Sequence, residues 1–344
     1  MAYTNLGRTQ EEEHRQAIPA VSGATGNGES KKLRVDFIGN SPSIREIHSM
    51  IHLVTDSSMP VLITGESGTG KDVVARLIHM SSPRADLPFI AINCAAVPRD
   101  VFENELFGHE GGAFTGATAR KAGYLEMADK GTLFLDELGE MDTDTQAKLL
   151  RVIETKAFRR LGGKNEMNAD VRMLAATNKD VQRALEAGEM RLDLYYRFSV
   201  IEIHIPPLRE RRQDIPDLAS HFLSYFCQKH KKALKTFSDE AMRGLIKHNW
   251  PGNIRELRNL VERAVILSQN DVVSPDILPI RLTEVGQEPD TIMIPIGTSL
   301  DTAEKAIILR TLSFVDNNKS RAATILGLSR KALYDKLKRF EIDR

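Results

Sequence analysis

The run Gly65-Glu66-Ser67-Gly68-Thr69-Gly70-Lys71-Asp72 has the composition of a loop that holds an anion. Its three glycines let the backbone curl until successive N–H groups face one point. Lys71 adds a side-chain cation that reaches the outer phosphates of a nucleotide. The loop follows the apolar run Val61–Thr64 and opens a segment of helical apolar spacing (Val73, Val74, Leu77, Ile78). A helix N-terminus therefore adds its partial positive charge at the same place. Strand, glycine loop and helix in this order are the context that the G-x-x-x-x-G-K pattern requires. The position after the lysine usually carries a hydroxyl for magnesium; here it is Asp72, although Thr69 lies in the same loop.

A second signal is Asp136-Glu137 at the end of the apolar run Thr132–Leu135. Two acids ending a buried strand sit at the carboxyl edge of a sheet, where α/β proteins bind ligands. Asp136 is expected to hold Mg2+, largely through water, and Glu137 to polarise the attacking water. Phosphoryl transfer needs positioning and charge neutralisation more than covalent chemistry, so this inventory suffices for ATP hydrolysis with ATP and Mg2+ as cofactors.

Between the two motifs lies Glu105–Ala117, ELFGHEGGAFTGA. No phosphate chemistry calls for Gly112-Ala113-Phe114-Thr115-Gly116-Ala117. An aromatic and a threonine between glycines look like an exposed loop tip that touches a partner, with His109 and Glu110 supporting the loop. At this hexapeptide the chain resembles the AAA+ activators of the sigma-54 form of bacterial RNA polymerase, the bacterial enhancer-binding proteins. The resemblance runs from about Val35 to the C-terminus, and the family usually carries an acid after the loop lysine.

The resemblance implies a set of roles. The hexapeptide would contact sigma-54. Asn93, in AINCAA, would link Glu137 to the state of that loop, and Gly139–Thr145 would form a second moving loop. Thr177 and Asn178, in AATN, would be the first sensor of the γ-phosphate. Arg191 and Arg197, in RLDLYYR, would reach into a neighbour's ATP site. Arg255, in WPGNIREL, would be the sensor arginine of a helical lid, with Trp250-Pro251 making the turn before it. An arginine supplied in trans stabilises transition-state charge and calls for a ring, read here as a hexamer. A lid arginine makes domain closure respond to nucleotide.

Residues 317–340 carry seven basic side chains against one acid, Asp335, in a chain of zero formal net charge. Apolar spacing gives two short helices separated by Gly327-Leu328-Ser329, with Ser329 as N-cap. This pattern suggests a helix-turn-helix and resembles the Fis-type module of the same activators. Ser329, Arg330, Lys331 and Tyr334 are placed near base edges and phosphates. Lys336, Lys338 and Arg339 are expected at the DNA phosphates, with Lys319 and Arg321 on the preceding helix also facing the DNA. An earlier helix, Ser299–Phe314, carries an apolar stripe (Ala303, Ala306, Ile307, Leu309, Leu312) suited to dimer packing over two half-sites.

These groups need a scaffold. The apolar runs Val61–Thr64, Phe89–Asn93, Thr132–Leu135, Val171–Ala175 and Val200–Ile205 alternate with amphipathic segments. Near-continuous apolar strands suit a sheet covered on both faces, so a three-layer α/β fold with a mostly parallel sheet is expected. Beyond Pro206-Pro207 only helical spacing follows, over Ile215–Lys231, Ser238–Asn249 and Asn253–Ser268, with Ser238 and Asn253 as N-caps. The resulting divisions are a flexible arm over 1–33, an AAA+ core over 34–206, a helical lid over 207–279, a linker over 280–298 and the helix-turn-helix over 299–344.

Composition narrows the class. Two cysteines, Cys94 and Cys227, have no metal or disulfide spacing. No apolar stretch suffices for a membrane span and the polar N-terminus lacks a secretory signal, so a cytoplasmic protein is expected. The expected function is an activator that binds upstream enhancer double-stranded DNA and uses ATP turnover to remodel the closed sigma-54 polymerase complex into the open one. Two rivals remain at this level: a DNA-binding regulator whose ATPase domain only senses nucleotide, and an AAA+ remodeller of other clients. The short arm leaves three readings of regulation: a separate protein, abundance, or a chain that is a fragment of a longer one.

Overall fold

A computed structural model describes residues 37–114, 117, 119–278, 294–295, 297–315 and 318–340. The expected arm over 1–33, most of the linker expected over 280–298, and Thr115 and Gly116 of the hexapeptide lie outside the described residues.

Five strands form one parallel sheet: β1 (Val61–Thr64), β2 (Phe89–Asn93), β3 (Thr132–Asp136), β4 (Arg172–Thr177) and β5 (Glu202–His204), in the spatial order β2-β3-β4-β1-β5. Strand alternation splits their side chains between two cores. Leu62, Leu133, Leu135, Met173 and Ala175 pack with α3 (Arg99–Phe107), α4 (Thr143–Thr155) and α5 (Leu192–Phe198). Val61, Ile63, Phe134, Leu174 and Ala176 pack with α1 (Pro42–Val54) and α2 (Lys71–Met80). Each fully buried aliphatic contributes about 1.5–3 kcal/mol, so both faces are held by the hydrophobic effect.

The expectation of strands buried on both faces holds for β1, β3 and β4. It fails for β2, an edge strand with Ala91 and Asn93 exposed, and β5 is shorter than the run 200–205. The fourth strand extends beyond Ala175 because pairing with β1 carries it to Thr177.

The register brings the site together. Thr64 lies opposite Thr177, and Asn93 opposite Asp136. The carboxyl ends of β1 to β4 thus form one edge, and the phosphate loop, both acids and the sensor segment all leave the sheet there.

The lid packs α6 (Ile215–Lys229), α7 (Asp239–Lys247) and α8 (Asn253–Leu267) around a fully buried Trp250, whose indole N–H donates to Leu245 O at 2.9 Å. Ser238 caps α7 by accepting from Ala241 N. Asn253 does not cap α8, contrary to the expectation. It is the first helical residue, sits at φ 52°, and turns its buried side chain toward the phosphate loop.

In the C-terminal module, Ser299, Asn318 and Ser329 each cap a helix: α9 (Leu300–Phe314), α10 (Lys319–Ile325) and α11 (Arg330–Arg339). Its core is Ile308, Leu312, Val315, Ala322, Ala323, Leu333 and Leu337. The apolar stripe expected on α9 for dimer packing is largely separate from this core. Of its five members only Leu312 is buried, Ile308 does the packing beside it, and Ile307 and Leu309 face outward. Among the described residues no helix is long and apolar enough to cross a membrane.

Candidate nucleotide site and remodelling loop

Gly70 sits at φ 101° as the N-cap of α2, and the loop before it is closed by Thr69, whose hydroxyl donates to Glu66 O at 2.8 Å. That hydroxyl is fully buried. The buried Lys71 ammonium donates to Gly65 O at 2.9 Å and Glu66 O at 3.3 Å, and lies 3.8 Å from Glu137 Oε1. Glu137 itself is held in the left-handed region at φ 57°, and Asn178 N donates to its Oε2 at 3.1 Å. Backbone strain at such a position persists only where surroundings over-determine it. The segment after β4 and the phosphate-loop lysine therefore hold the Glu137 carboxylate from two sides.

Burial, then the neighbouring Glu137, pushes the Asp136 carboxyl above its ordinary value, while Lys71 pulls it down. Asp72 adds to the upward push. Three carboxylates around one ammonium fit a divalent cation, whose charge would relieve this repulsion. Among the described residues no group of three His, Cys, Asp or Glu forms a metal cage. Mg2+ does not require such a cage, because it keeps waters and substrate phosphates as most of its ligands.

Asn93 lies opposite Asp136, but its Oδ1 accepts from Ala95 N and Ala96 N at 2.9 and 3.2 Å, closing the turn after β2. Its Oδ1 is engaged locally, and Glu137 is partnered by Asn178 and Lys71. Thr177 is fully buried and its hydroxyl accepts from Lys179 N. Cys94, beside the acids, has its thiol pushed up to about 12 by burial, so it is inert.

The lid closes on the loop. Arg255 donates to Ser67 Oγ at 2.9 Å, and Ile254 N donates to Gly68 O at 2.9 Å. Contact is so close that a Cβ on Gly68, which sits at φ 80°, would come 2.5 Å from Gly252 O. Three residues here carried no sequence signal. Arg209 forms a two-pronged pair with Glu66 at 2.6 and 2.9 Å and, with Asn253, holds that carboxyl below the usual range. Asn253 donates to Glu66 Oε2 and Ser67 O, and accepts from Leu208 N. Arg211, buried, donates to Thr69 O at 3.1 Å, and burial lowers its pKa to about 10. Only their basic or amide character was visible in the sequence; their partners in the phosphate loop are more than 140 residues away.

The hexapeptide loop rises from a buried ionic base. Arg160 donates to both oxygens of Glu126 at 2.7 and 2.5 Å and to Glu110 at 2.6 Å, which holds its pKa above the ordinary value. Gly112 N donates to Ala117 O at 2.7 Å, closing the loop on itself. Phe114 is 46% exposed, and among the described residues its ring meets His109 edge-on, 5.1 Å between centroids. His109 and Glu110 are thus structural supports of the loop. Arg160 went unrecognised because it lies 50 residues from Glu110.

Comparison with known proteins decides the family. Residues 37–204 match the Sigma-54 interaction domain, 209–292 the AAA+ ATPase lid domain, and 299–340 the bacterial regulatory protein Fis family. The chain is 46% identical over 308 residues to the transcriptional regulatory protein ZraR of Escherichia coli K12, covering 88% of this chain and 68% of that one. It is 43% identical over 313 residues to the regulatory protein AtoC of the same strain, covering 89% and 68%. NtrX from Brucella abortus, crystallised in complex with ATP, superposes with a TM-score of 0.68 at 33% identity, over 89% of this chain and 70% of that one.

The chain belongs to the sigma-54-dependent transcriptional regulators. The nucleotide site of this regulator is accordingly an AAA+ ATPase site, and the parallel sheet, lid and helix-turn-helix are the family's fold. Its two arginines from the RLDLYYR segment make no hydrogen bond or ion pair to the phosphate loop, Asp136 or Glu137 of their own chain among those described. Arg191 starts α5 and its guanidinium pairs with Asp193 at the surface; Arg197 is exposed near the amino-terminal edge of the sheet, beside Met59, Val171 and Val200. In the regulator's DNA module, Arg321, Ser329, Arg330, Lys331, Tyr334 and Lys338 are exposed, and Lys319 lies over the Tyr334 ring at 5.2 Å. Lys336 is different: its ammonium is 2.6 Å from Glu304 of α9, which makes it a brace between helices. Arg339 likewise grips Asp301 with both bonds at 2.8 Å.

Proposed function

We propose that this chain activates transcription by sigma-54 RNA polymerase, binding upstream double-stranded DNA through α10 and α11 and converting ATP hydrolysis into movement of the Phe114 loop against sigma-54. The observation that carries the reading is the meeting of Lys71, Glu137, Asn178 and Arg255 on one sheet edge, in a chain whose exposed Phe114 loop stands on its own ionic base. Gly65–Asp72 cradle the phosphates. Asp136, with the loop, would hold Mg2+, which would supply charge neutralisation for phosphoryl transfer. Glu137 orients and polarises the attacking water, Thr177 and Asn178 read the γ-phosphate, and Arg255 couples it to the lid. Asn93 joins this relay when its turn rearranges.

Arg191 and Arg197 act on the ATP of a neighbouring copy, so the working form is a closed ring, read as a hexamer. The protein works in the cytoplasm. Residues 34–206, 207–279 and 299–344 serve as ATPase core, lid and DNA reader, joined over 280–298.

The test is open-complex formation at a sigma-54 promoter with purified polymerase, read as strand opening. ATP with the native chain should open the promoter. Phe114→Ala should keep ATPase activity within about twofold and abolish opening. Opening that persists with Phe114→Ala, or without hydrolysable ATP, defeats the reading.

A further inference from the structure

Gln146, on the first turn of α4, is fully buried and none of its hydrogen-bonding groups is idle. Its Nε2 donates to Met141 O and to Glu189 O, both at 2.8 Å. Its Oε1 accepts from Arg191 N at 2.9 Å. One amide thus ties together the Gly139–Thr145 loop, the turn before α5, and the N-cap residue of α5. The same turn is gripped from outside by Lys179, whose ammonium donates to Gly139 O at 3.0 Å and Glu189 Oε2 at 2.7 Å and lies 3.0 Å from Glu140. Lys179 follows Asn178, whose N–H holds Glu137.

We infer that Gln146 is a positioning residue for Arg191: it fixes the point from which that guanidinium leaves the chain, and through the Glu189 turn and Lys179 sets that point relative to Glu137. The inference rests on the reading that Arg191 serves a neighbouring copy in a ring. The physical argument is one of satisfaction. Arg191 has a half-exposed side chain whose only described partner is Asp193, two residues on, so the guanidinium's own contacts tie it only to its own segment and to no other element. The backbone N–H of Arg191 is fixed instead, by a buried amide with no water to replace it. A carboxamide at 146 matches two carbonyls and one N–H; a carboxylate loses both donors, and a thioether loses all three bonds.

The experiment mixes full-length subunits. Glu137→Gln subunits keep Arg191 but cannot hydrolyse. Gln146→Met subunits keep Glu137 but misplace Arg191. Alone, Gln146→Met should lose at least about tenfold in kcat while binding a non-hydrolysable ATP analogue within twofold of the native chain. Mixed with Glu137→Gln, turnover should rise several-fold above the sum of the separate preparations, because well-placed arginines now face intact carboxylates. Arg191→Ala mixed with Glu137→Gln is the reference. If that reference pair shows no recovery, the trans-arginine reading fails first and takes the inference with it. If it recovers and Gln146→Met does not, Gln146 acts elsewhere and the inference alone is overturned. Should Gln146→Met fail to bind the analogue, the near-isosteric Gln146→Glu, which keeps the acceptor for Arg191 N, carries the same comparison. It is expected to show the milder kcat loss and the same recovery, and no recovery overturns the inference.

Discussion

Glu137 has two partners, Lys71 and the Asn178 N–H, and a strained backbone, and each has a consequence. Glu137→Gln keeps the hydrogen bond to Asn178 and the shape of the site but removes the negative charge. ATP should bind as before while phosphate release falls by at least about 100-fold, the usual scale for a positioned proton acceptor. Unchanged release would remove Glu137 from the chemistry. A second residue gives the chain a pH response. His79 is buried on α2 beside Thr132, and burial, reinforced by the Arg172 charge, lowers its pKa. A histidine kept neutral by the fold contributes stability that is present above its unfolded pKa of about 6.5 and is lost as pH falls below it toward the lowered folded value. Urea midpoints should therefore drop on going from neutral to mildly acidic pH, and His79→Gln should flatten that drop.

At the scale of elements, the remodelling loop depends on the Arg160 base. Arg160→Met leaves Glu126 and Glu110 without their cation. Breaking this pair should cost about 2 kcal/mol, less than a fully buried pair because Glu110 is half in solvent. Promoter opening should fall much further than ATPase activity, since the phosphate loop is untouched; equal losses would show the base to be only structural. The DNA module offers a similar contrast. Lys331 is exposed and unengaged in any described ion pair, whereas Lys336 is braced on Glu304. Lys331→Ala should reduce the slope of log affinity against log salt by about 0.9, the value for one phosphate contact. Lys336→Ala should change thermal stability more than that slope.

For the molecule as a whole, the core–lid seam is the contact on which nucleotide sensing turns. Gly68 permits it, because any Cβ there meets the Gly252 carbonyl. Gly68→Ala should push the lid off the loop and weaken ATP binding by at least about tenfold. Gly327→Ala is the control for backbone strain: Gly327 also has a positive φ, 67°, but open space around its Cβ. It should cost about 1 kcal/mol of stability and leave ATP affinity alone. Equal effects on affinity would mean that strain, and not the seam, explains the Gly68 result.

Much of this regulator was legible in its residues. A glycine loop between strand and helix, two acids ending an apolar run, an intact hexapeptide and a basic pair of capped helices are local patterns. Turn geometry, periodicity and capping act over a few residues, so they leave marks in adjacent letters. Tertiary structure decided the rest. It turned Asn253 from an expected cap into a clamp on the phosphate loop, put Ile308 and Leu312 of α9 in the module's core, paired Lys336 with Glu304, and brought the Asn178 N–H to Glu137. It also supplied Arg209, Arg211, Arg160 and Gln146, whose roles come from partners 34 to 143 residues distant. A charged or amide side chain reads the same in any surface helix. What it does depends on which buried donor or acceptor packing brings within about 3 Å, and that is settled only when the whole chain has folded.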